Sequence, residues 1–338
     1  MDISSFSDER LAGQRLMIGF DGTKLDRDLR ILIDRVNIGG VVLFSRNIVD
    51  CVQIRQLTAD IQDYARSCGL PSLFVSIDQE GGEVARLKPP FTQFPGNPKM
   101  ESEADAVRFA EITASELAGI GVNMDLAPVL DVAPEGFQSV MAGRAFGHDP
   151  KWVSLLGRIV IETMQRRNVM AVAKHFPGIG RTLLDSHMDL PTLDIDPLVL
   201  QETDLAPFRE AVSCGVAGVM LSHILYPQVD AEWPASLSPA LAKDLLRDRI
   251  GFDGVAMTDD LDMGAIRNHF DLGAAIEQIS AAEIDLVLIC HRSSKIESAY
   301  ETFLSLLRSS DENRKKAIRS VERILELKEK YLSAGVRD

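Results

Sequence analysis

Positive charge is in short supply in this chain of 338 residues, which sets 36 Lys and Arg against 50 Asp and Glu for a formal net charge of −14. A sequence-independent grip on phosphate backbones needs clustered cations, so nucleic acid is not an expected partner. Cysteine is scarce as well. Cys51, Cys68, Cys214 and Cys290 stand far apart with no C-x-x-C spacing, which argues against a disulfide frame or a zinc site. No apolar run reaches the roughly 20 residues of a membrane span, and Met1-Asp2-Ile3-Ser4-Ser5 has neither the basic nor the apolar segment of a secretion signal. The expected location is therefore the cytoplasm, with no membrane partner. No low-complexity tract, internal repeat or linker-like stretch divides the sequence, so residues 1–338 are expected to form a single domain.

What the chain does have is apolar material, 46% of its residues beside 25% charged, enough for a sizeable core under a polar surface. Eight short apolar runs recur between helix-period segments, at 16–20, 40–44, 73–78, 122–127, 169–174, 218–222, 254–258 and 285–289. Runs apolar at every position suit parallel strands covered on both faces. Asp149-Pro150, Asp196-Pro197 and Ser238-Pro239 place a capping side chain before a proline, as helix starts do. Residues 311–331 repeat apolar positions at Ile318, Val321, Ile324, Leu325 and Leu327, the pattern of an amphipathic closing helix. Eight strand-helix units imply an α/β fold, a (β/α)8 TIM-type barrel, with an open doubly wound sheet as the competing arrangement.

A barrel carries its chemistry at the C-terminal ends of its strands. Polar groups cluster there: Asp78-Gln79-Glu80 after the third run, Lys174-His175 after the fifth, Ser222-His223 after the sixth and Asp259-Asp260 after the seventh. Asp185 and His187 lie two apart in a Gly-marked loop at 178–187. In an extended segment they would point the same way, so the carboxylate can hold the imidazole as an acid/base pair or simply as a loop hydrogen bond. Asp259 is placed to act as nucleophile, base or metal ligand, while Asp260 and Asp262 compete with it, one of them being expected to cap the helix running through 263–266. His175, His187 and His223 show neither H-x-H nor H-E-x-x-H spacing, so no metal and no cofactor is expected.

Four segments, in order, resemble glycoside hydrolase family 3, specifically its single-domain β-N-acetylglucosaminidase branch. They are Ile77-Asp78-Gln79-Glu80-Gly81-Gly82 with Arg86-Leu87; Lys174-His175-Phe176-Pro177-Gly178 with Asp185-Ser186-His187; Pro234-Ala235-Ser236-Leu237-Ser238; and Gly251-Phe252-Asp253-Gly254 leading to Thr258-Asp259-Asp260-Leu261. The resemblance spans about Gly13 to about Cys290. It implies a (β/α)8 domain, Asp259 as nucleophile, His187 as proton donor and later acceptor, and Asp185 as its partner. It also implies that Asp78, Arg86, Arg144, Lys174 and His175 bind the sugar, with Lys174, Arg86 and Arg144 as the cations that keep Asp259 ionised. The structural alternatives are a buried Asp78–His175 pair and a surface salt bridge at Arg144.

The implied activity is retaining exo-hydrolysis of terminal β-linked N-acetylglucosamine on wall-derived or chitin-derived fragments, by a monomer acting on a small carbohydrate. Phosphate as acceptor, a β-glucosidase of the same family and a sugar-binding protein with impaired turnover are the competing readings. Two departures bear on them. Where the family commonly shows P-G-H-G-[DN]-T, this chain reads Pro177-Gly178-Ile179-Gly180-Arg181-Thr182, and Glu83 stands where a basic residue is common. The dyad residues are kept, so Ile179 and Arg181 are expected to alter loop docking, Arg181 through an ion pair to a nearby acid.

Overall fold

The computed structural model describes residues 3–333 of the chain. Eight parallel strands close into a barrel in chain order: β1 (Leu16–Gly19), β2 (Gly40–Leu43), β3 (Phe74–Ile77), β4 (Met124–Asp125), β5 (Met170–Phe176), β6 (Gly218–Leu221), β7 (Val255–Asp260) and β8 (Leu286–Ile289), with β1 paired to β8. Helices cover the outside, as the (β/α)8 reading requires. Each strand falls on one of the eight apolar runs; β5 and β7 extend two residues further than expected, through Phe176 and Asp260. Among the described residues no helix is long and apolar enough to cross a membrane.

The expected helix starts are present. Asp149 accepts from Lys151 N–H at 3.0 Å, Asp196 from Leu198 N–H at 2.7 Å and Ser238 from Leu241 N–H at 3.2 Å.

Side chains alternate between the lumen and the helix layer. On β7, Val255 and Met257 join the lumen cluster while Ala256 joins the outer core; the register with β8 slips between Met257 and Asp260, and both Asp259 and Asp260 line the mouth. On β3, Phe74 is luminal and Val75 and Ile77 are outer, which puts Asp78 over the lumen. At β5 the register with β6 slips between Lys174 and Phe176, so His175 is an extra residue, and both Lys174 and His175 face the mouth.

The final helix, Asp311–Leu332, closes the opposite end, inserting Ile324, Leu327 and Tyr331 into the lumen cluster beside Met17, Phe74 and Met124. It also buries Lys328, whose Nζ donates to Gln14 Oε1 at 2.8 Å and lies 5.0 Å from the Phe74 ring centroid. Burial pushes this amine down to about 7. The unfolded chain then holds the extra proton between pH 7 and the ordinary lysine value, so Lys328 weakens folding below pH 7 and the deficit is recovered as pH rises. In paired denaturation curves of wild type and Lys328→Met, the stability difference is expected to move in favour of wild type from pH 7 to pH 10. A difference independent of pH would show an amine of ordinary basicity.

Candidate active site

The C-terminal mouth holds a cavity lined by Asp78, Arg86, Arg144, Lys174, His175, His187, Asp259 and Asp260. Of the eight residues expected from sequence, only Asp185 is missing from this wall; it stands behind His187 and lines an adjoining cavity. The floor is an ion-pair network. Lys174 Nζ lies 2.8 Å from Asp78 Oδ1 and 2.6 Å from Glu80 Oε1. Arg86 reaches Asp78 Oδ2 at 3.0 Å, and Arg144 forks onto Glu80 at 2.7 and 2.9 Å. Paired in this way, buried charges keep their ionisation. Burial alone would raise Asp78 and Glu80, but Lys174 with Arg86 holds the first, and Lys174 with Arg144 the second, below the usual carboxylate range.

The alternatives of a buried Asp78–His175 pair and a surface bridge at Arg144 therefore both fail. His175 instead bonds through Nδ1 to Asp131 Oδ2 at 2.7 Å, leaving Nε2 3.5 Å from Arg144. Asp131, fully buried, also accepts from Ile179 N–H at 2.7 Å through its other oxygen. Glu80, Asp131 and His223 are functional neighbours that sequence reasoning did not assign. Asp131 and Glu80 carried a usable signal, since Asp131 interrupts the apolar run 129–132 and Glu80 sits inside the same motif as Asp78.

Asp259 Oδ1 accepts from Asp260 N–H at 2.8 Å. Burial opposes its ionisation, yet His223, His175 and Lys174 together hold it below the ordinary value. Of the three cations expected to do this, Lys174 is among the leading causes, while Arg86 and Arg144 are bonded to Asp78 and Glu80. His223 is buried, and burial pushes its ring downward. Its Nε2 faces the Asp260 carbonyl at 2.9 Å and its Nδ1 faces Ser236 Oγ at 2.6 Å, which makes Nε2 the donor, since a carbonyl can only accept. Burial raises neighbouring Asp260 to about 6, and its Oδ1 accepts from Asp262 N–H at 3.0 Å and Cys290 N–H at 2.9 Å.

His187 Nδ1 lies 2.7 Å from Asp185 Oδ1, the pair read from the sequence, but the geometry is a turn and not an extended segment. Met188 N–H closes the turn onto Asp185 O at 2.9 Å, and Asp185 Oδ1 also accepts from His187 N–H at 2.9 Å. At the loop's base, Tyr226 O–H donates to Gly178 O at 2.9 Å. Arg181 pairs with buried Asp204 at 3.3 Å, the acid that the P-G-I-G-R-T departure called for. Glu83, the other departure, lies against Gly143, where a Cβ would meet its carboxylate at 2.7 Å.

The expectation that Asp260 or Asp262 caps the next helix is corrected. Helix Gly264–Arg267 has no side-chain cap. Its first N–H groups, on Gly264 and Ala265, donate at 3.1 and 3.0 Å to the carbonyls of His187 and Ser186. Loop backbone satisfies the orphan donors, so no side chain is needed there.

The profile of the glycosyl hydrolase family 3 N terminal domain matches residues 8–327, nearly the whole described chain. The chain belongs to glycosyl hydrolase family 3. A β-hexosaminidase of Nitrosomonas eutropha is 34% identical over 301 residues, covering 86% of this chain and 84% of that protein. A family 3 β-N-acetylglucosaminidase from Paenibacillus sp. str. FPU-7 superposes with a TM-score of 0.94 at 36% identity over 99% of this chain; the chain spans 64% of that protein's length. A β-N-acetylhexosaminidase from Beutenbergia cavernae, at 25% identity and TM-score 0.88, is covered over 99% of its length, with 96% of this chain matched.

Gly264 is a point of close approach between the loop and this family 3 barrel. A Cβ there would lie 2.3 Å from Met188 O and 2.7 Å from His187 O, so Gly264→Ala must displace the loop. A shift of about 1 Å at a reacting group costs on the order of 100-fold. Turnover of an aryl β-N-acetylglucosaminide by Gly264→Ala is expected to fall by about that factor, with unfolding temperature little changed; unaltered turnover would show that this docking does not position His187.

Proposed function

We propose that the chain, a family 3 glycoside hydrolase, removes terminal β-linked N-acetylglucosamine by double displacement, with Asp259 as nucleophile and His187, held by Asp185, as acid/base. The observation that carries this reading is the meeting of a luminal, ionised Asp259 and the Asp185-bound His187 on one cavity whose floor is set with fixed polar groups. The names of its relatives, β-hexosaminidase and β-N-acetylglucosaminidase, point to the same sugar. Short muropeptide or chitin-derived fragments met in the cytoplasm are the natural substrates under this reading. The barrel supplies both reacting groups, so the reaction needs no second domain.

In the first step Asp259 attacks the anomeric carbon while protonated His187 gives its Nε2 proton to the departing oxygen. The C–O bond to the leaving group breaks, and a glycosyl ester forms on Asp259. Neutral His187 next takes a proton from water as that water attacks the same carbon, and the ester breaks to restore the carboxylate. Two inversions give retention. A histidine suits both halves, because a second carboxylate close to Asp259 would compete with it for ionisation. Asp185, bonded to Nδ1, fixes which nitrogen faces the substrate. Asp78 accepts from Lys174 and Arg86 through one lone pair on each oxygen, leaving the others for sugar hydroxyls. Lys174, Arg144 and His175 supply donors, and their rigid pairing orients the ring before reaction.

Proton NMR of the first product from an aryl β-N-acetylglucosaminide tests this reading. The β-anomer is expected to appear before mutarotation; initial α-anomer would rule out double displacement. The sign of the Asp259 shift gives a second expectation. Its carboxyl titrates below the ordinary aspartate value of 3.8, and the ionised form reacts, so activity is lost only as pH falls through that lower value. The acid limb of kcat/KM should therefore lie below pH 3.8. A limb near pH 6 would point to Asp260 as the reacting group.

A further inference from the structure

A second cavity adjoins the first beside the loop after β5, and Arg144, His175, His187 and Asp259 line both. Thr182, Asp185 and Ser186 give its wall polar groups, while Val140, Ile224 and Met263 give it hydrocarbon. Such a mixture suits the hydroxyls and C–H faces of a sugar ring. On the glycosidase reading above, on which this inference rests, N-acetylglucosamine takes the first cavity and its leaving group extends past His187 into the second.

Charge separates the leaving groups that this arrangement can hold. Three lysines and arginines line the two cavities, and each is already committed: Lys174 lies between Asp78 and Glu80, Arg86 is on Asp78, and Arg144 forks onto Glu80. Both wall histidines are likewise held by acids, His175 by Asp131 and His187 by Asp185. Asp259 and Asp260 add further acid to the first wall. Arg181, in the loop, is turned to Asp204, and Arg267, exposed on the docked helix, lines neither cavity.

The same sign continues at the rim. Glu83 is exposed, and its carboxylate lies against Gly143, where a Cβ would meet it at 2.7 Å. Arg144, the next residue, lines both cavities, and Val84, beside Glu83 in the chain, lines the first. Among the described residues Glu83 has no ion-pair partner, so its charge is not offset, and it stands where a basic residue is common in the family.

We infer that this site selects against negative charge in the leaving group: the aglycones it takes are neutral or cationic, which favours chitin-derived fragments over carboxylate-bearing muropeptides. A carboxylate seated beyond His187 would give up water without gaining a free cation, and it would lie in the field of Asp185, Asp259 and Glu83. A hydroxyl or an ammonium meets no such opposition. Glu83 bonds to neither the proposed nucleophile nor the proposed acid/base, so its charge can be reversed apart from the chemistry.

Two aryl β-N-acetylglucosaminides, carrying para-carboxymethyl and para-carbamoylmethyl groups, test this, since their phenols are of nearly equal acidity and differ by one negative charge. At low ionic strength wild type is expected to show a kcat/KM for the carboxylate about fivefold below that for the amide, as unit-charge repulsion near a protein surface allows. High salt should bring the ratio toward 1, and Glu83→Lys, at an exposed position, should do so at low salt. Equal kcat/KM for the two compounds in wild type, or a faster carboxylate, would overturn the inference and leave the glycosidase reading standing. A slower carboxylate whose ratio neither salt nor Glu83→Lys alters would assign the preference to shape and overturn it as well. Hydrolysis of neither compound would overturn the glycosidase reading, and the inference with it.

Discussion

Two backbone hydrogen bonds hold this site together, from the N–H groups of Gly264 and Ala265 to the carbonyls of His187 and Ser186. They tie the loop after β5, which carries the proposed acid/base, to the helix that follows β7, the strand that carries the proposed nucleophile. Helix N-termini need acceptors in any case, and here a helix's unmet donors register one reacting group against the other. The close approach depends on Gly264, and further contacts follow it along the loop: Asn268 reaches Met188 O at 3.3 Å, and His269 bonds Asp189. At the loop's other end Asp131, Tyr226 and Asp204 anchor Ile179, Gly178 and Arg181. The segment between is thereby fixed at both ends.

The barrel supplies the second constraint. It brings two adjacent carboxylates that the sequence left in competition to one mouth: the register of β7 slips after Met257, and both Asp259 and Asp260 line the cavity. Their environments then part them, burial raising Asp260 to about 6 while His223, His175, the Asp260 N–H and Lys174 hold Asp259 down. The floor separates its charges in a similar way. Each cation there has a carboxylate partner, so the positive groups proposed to bind the sugar are fixed in place without being carried as unpaired buried charge.

The fold was legible in the sequence because parallel strands buried on both faces must be apolar at every position, and the eight runs have no other ready use. Asp78, Lys174, His175 and Asp259 were legible because charge at a strand end has little to do with packing. The Arg181 ion pair could be anticipated from the departure alone, though not its partner Asp204, which lies 23 residues further along. Other features needed the fold. His175 and Asp131 are 44 residues apart and Arg144 and Glu80 are 64 apart, and no local pattern links them. The helix at Gly264–Arg267 was read as capped from within because capping rules are local. Its actual acceptors lie about 80 residues earlier, on the loop around His187.

The central claim is that Asp259 carries the sugar during turnover. Incubation with a fluorinated N-acetylglucosaminyl inactivator, followed by mass-spectrometric mapping of the adduct, tests the sugar, the covalent route and the residue together. The account predicts a single N-acetylglucosaminyl-type adduct on Asp259. An adduct on Asp260, or an unmodified protein after complete exposure to the reagent, would contradict it.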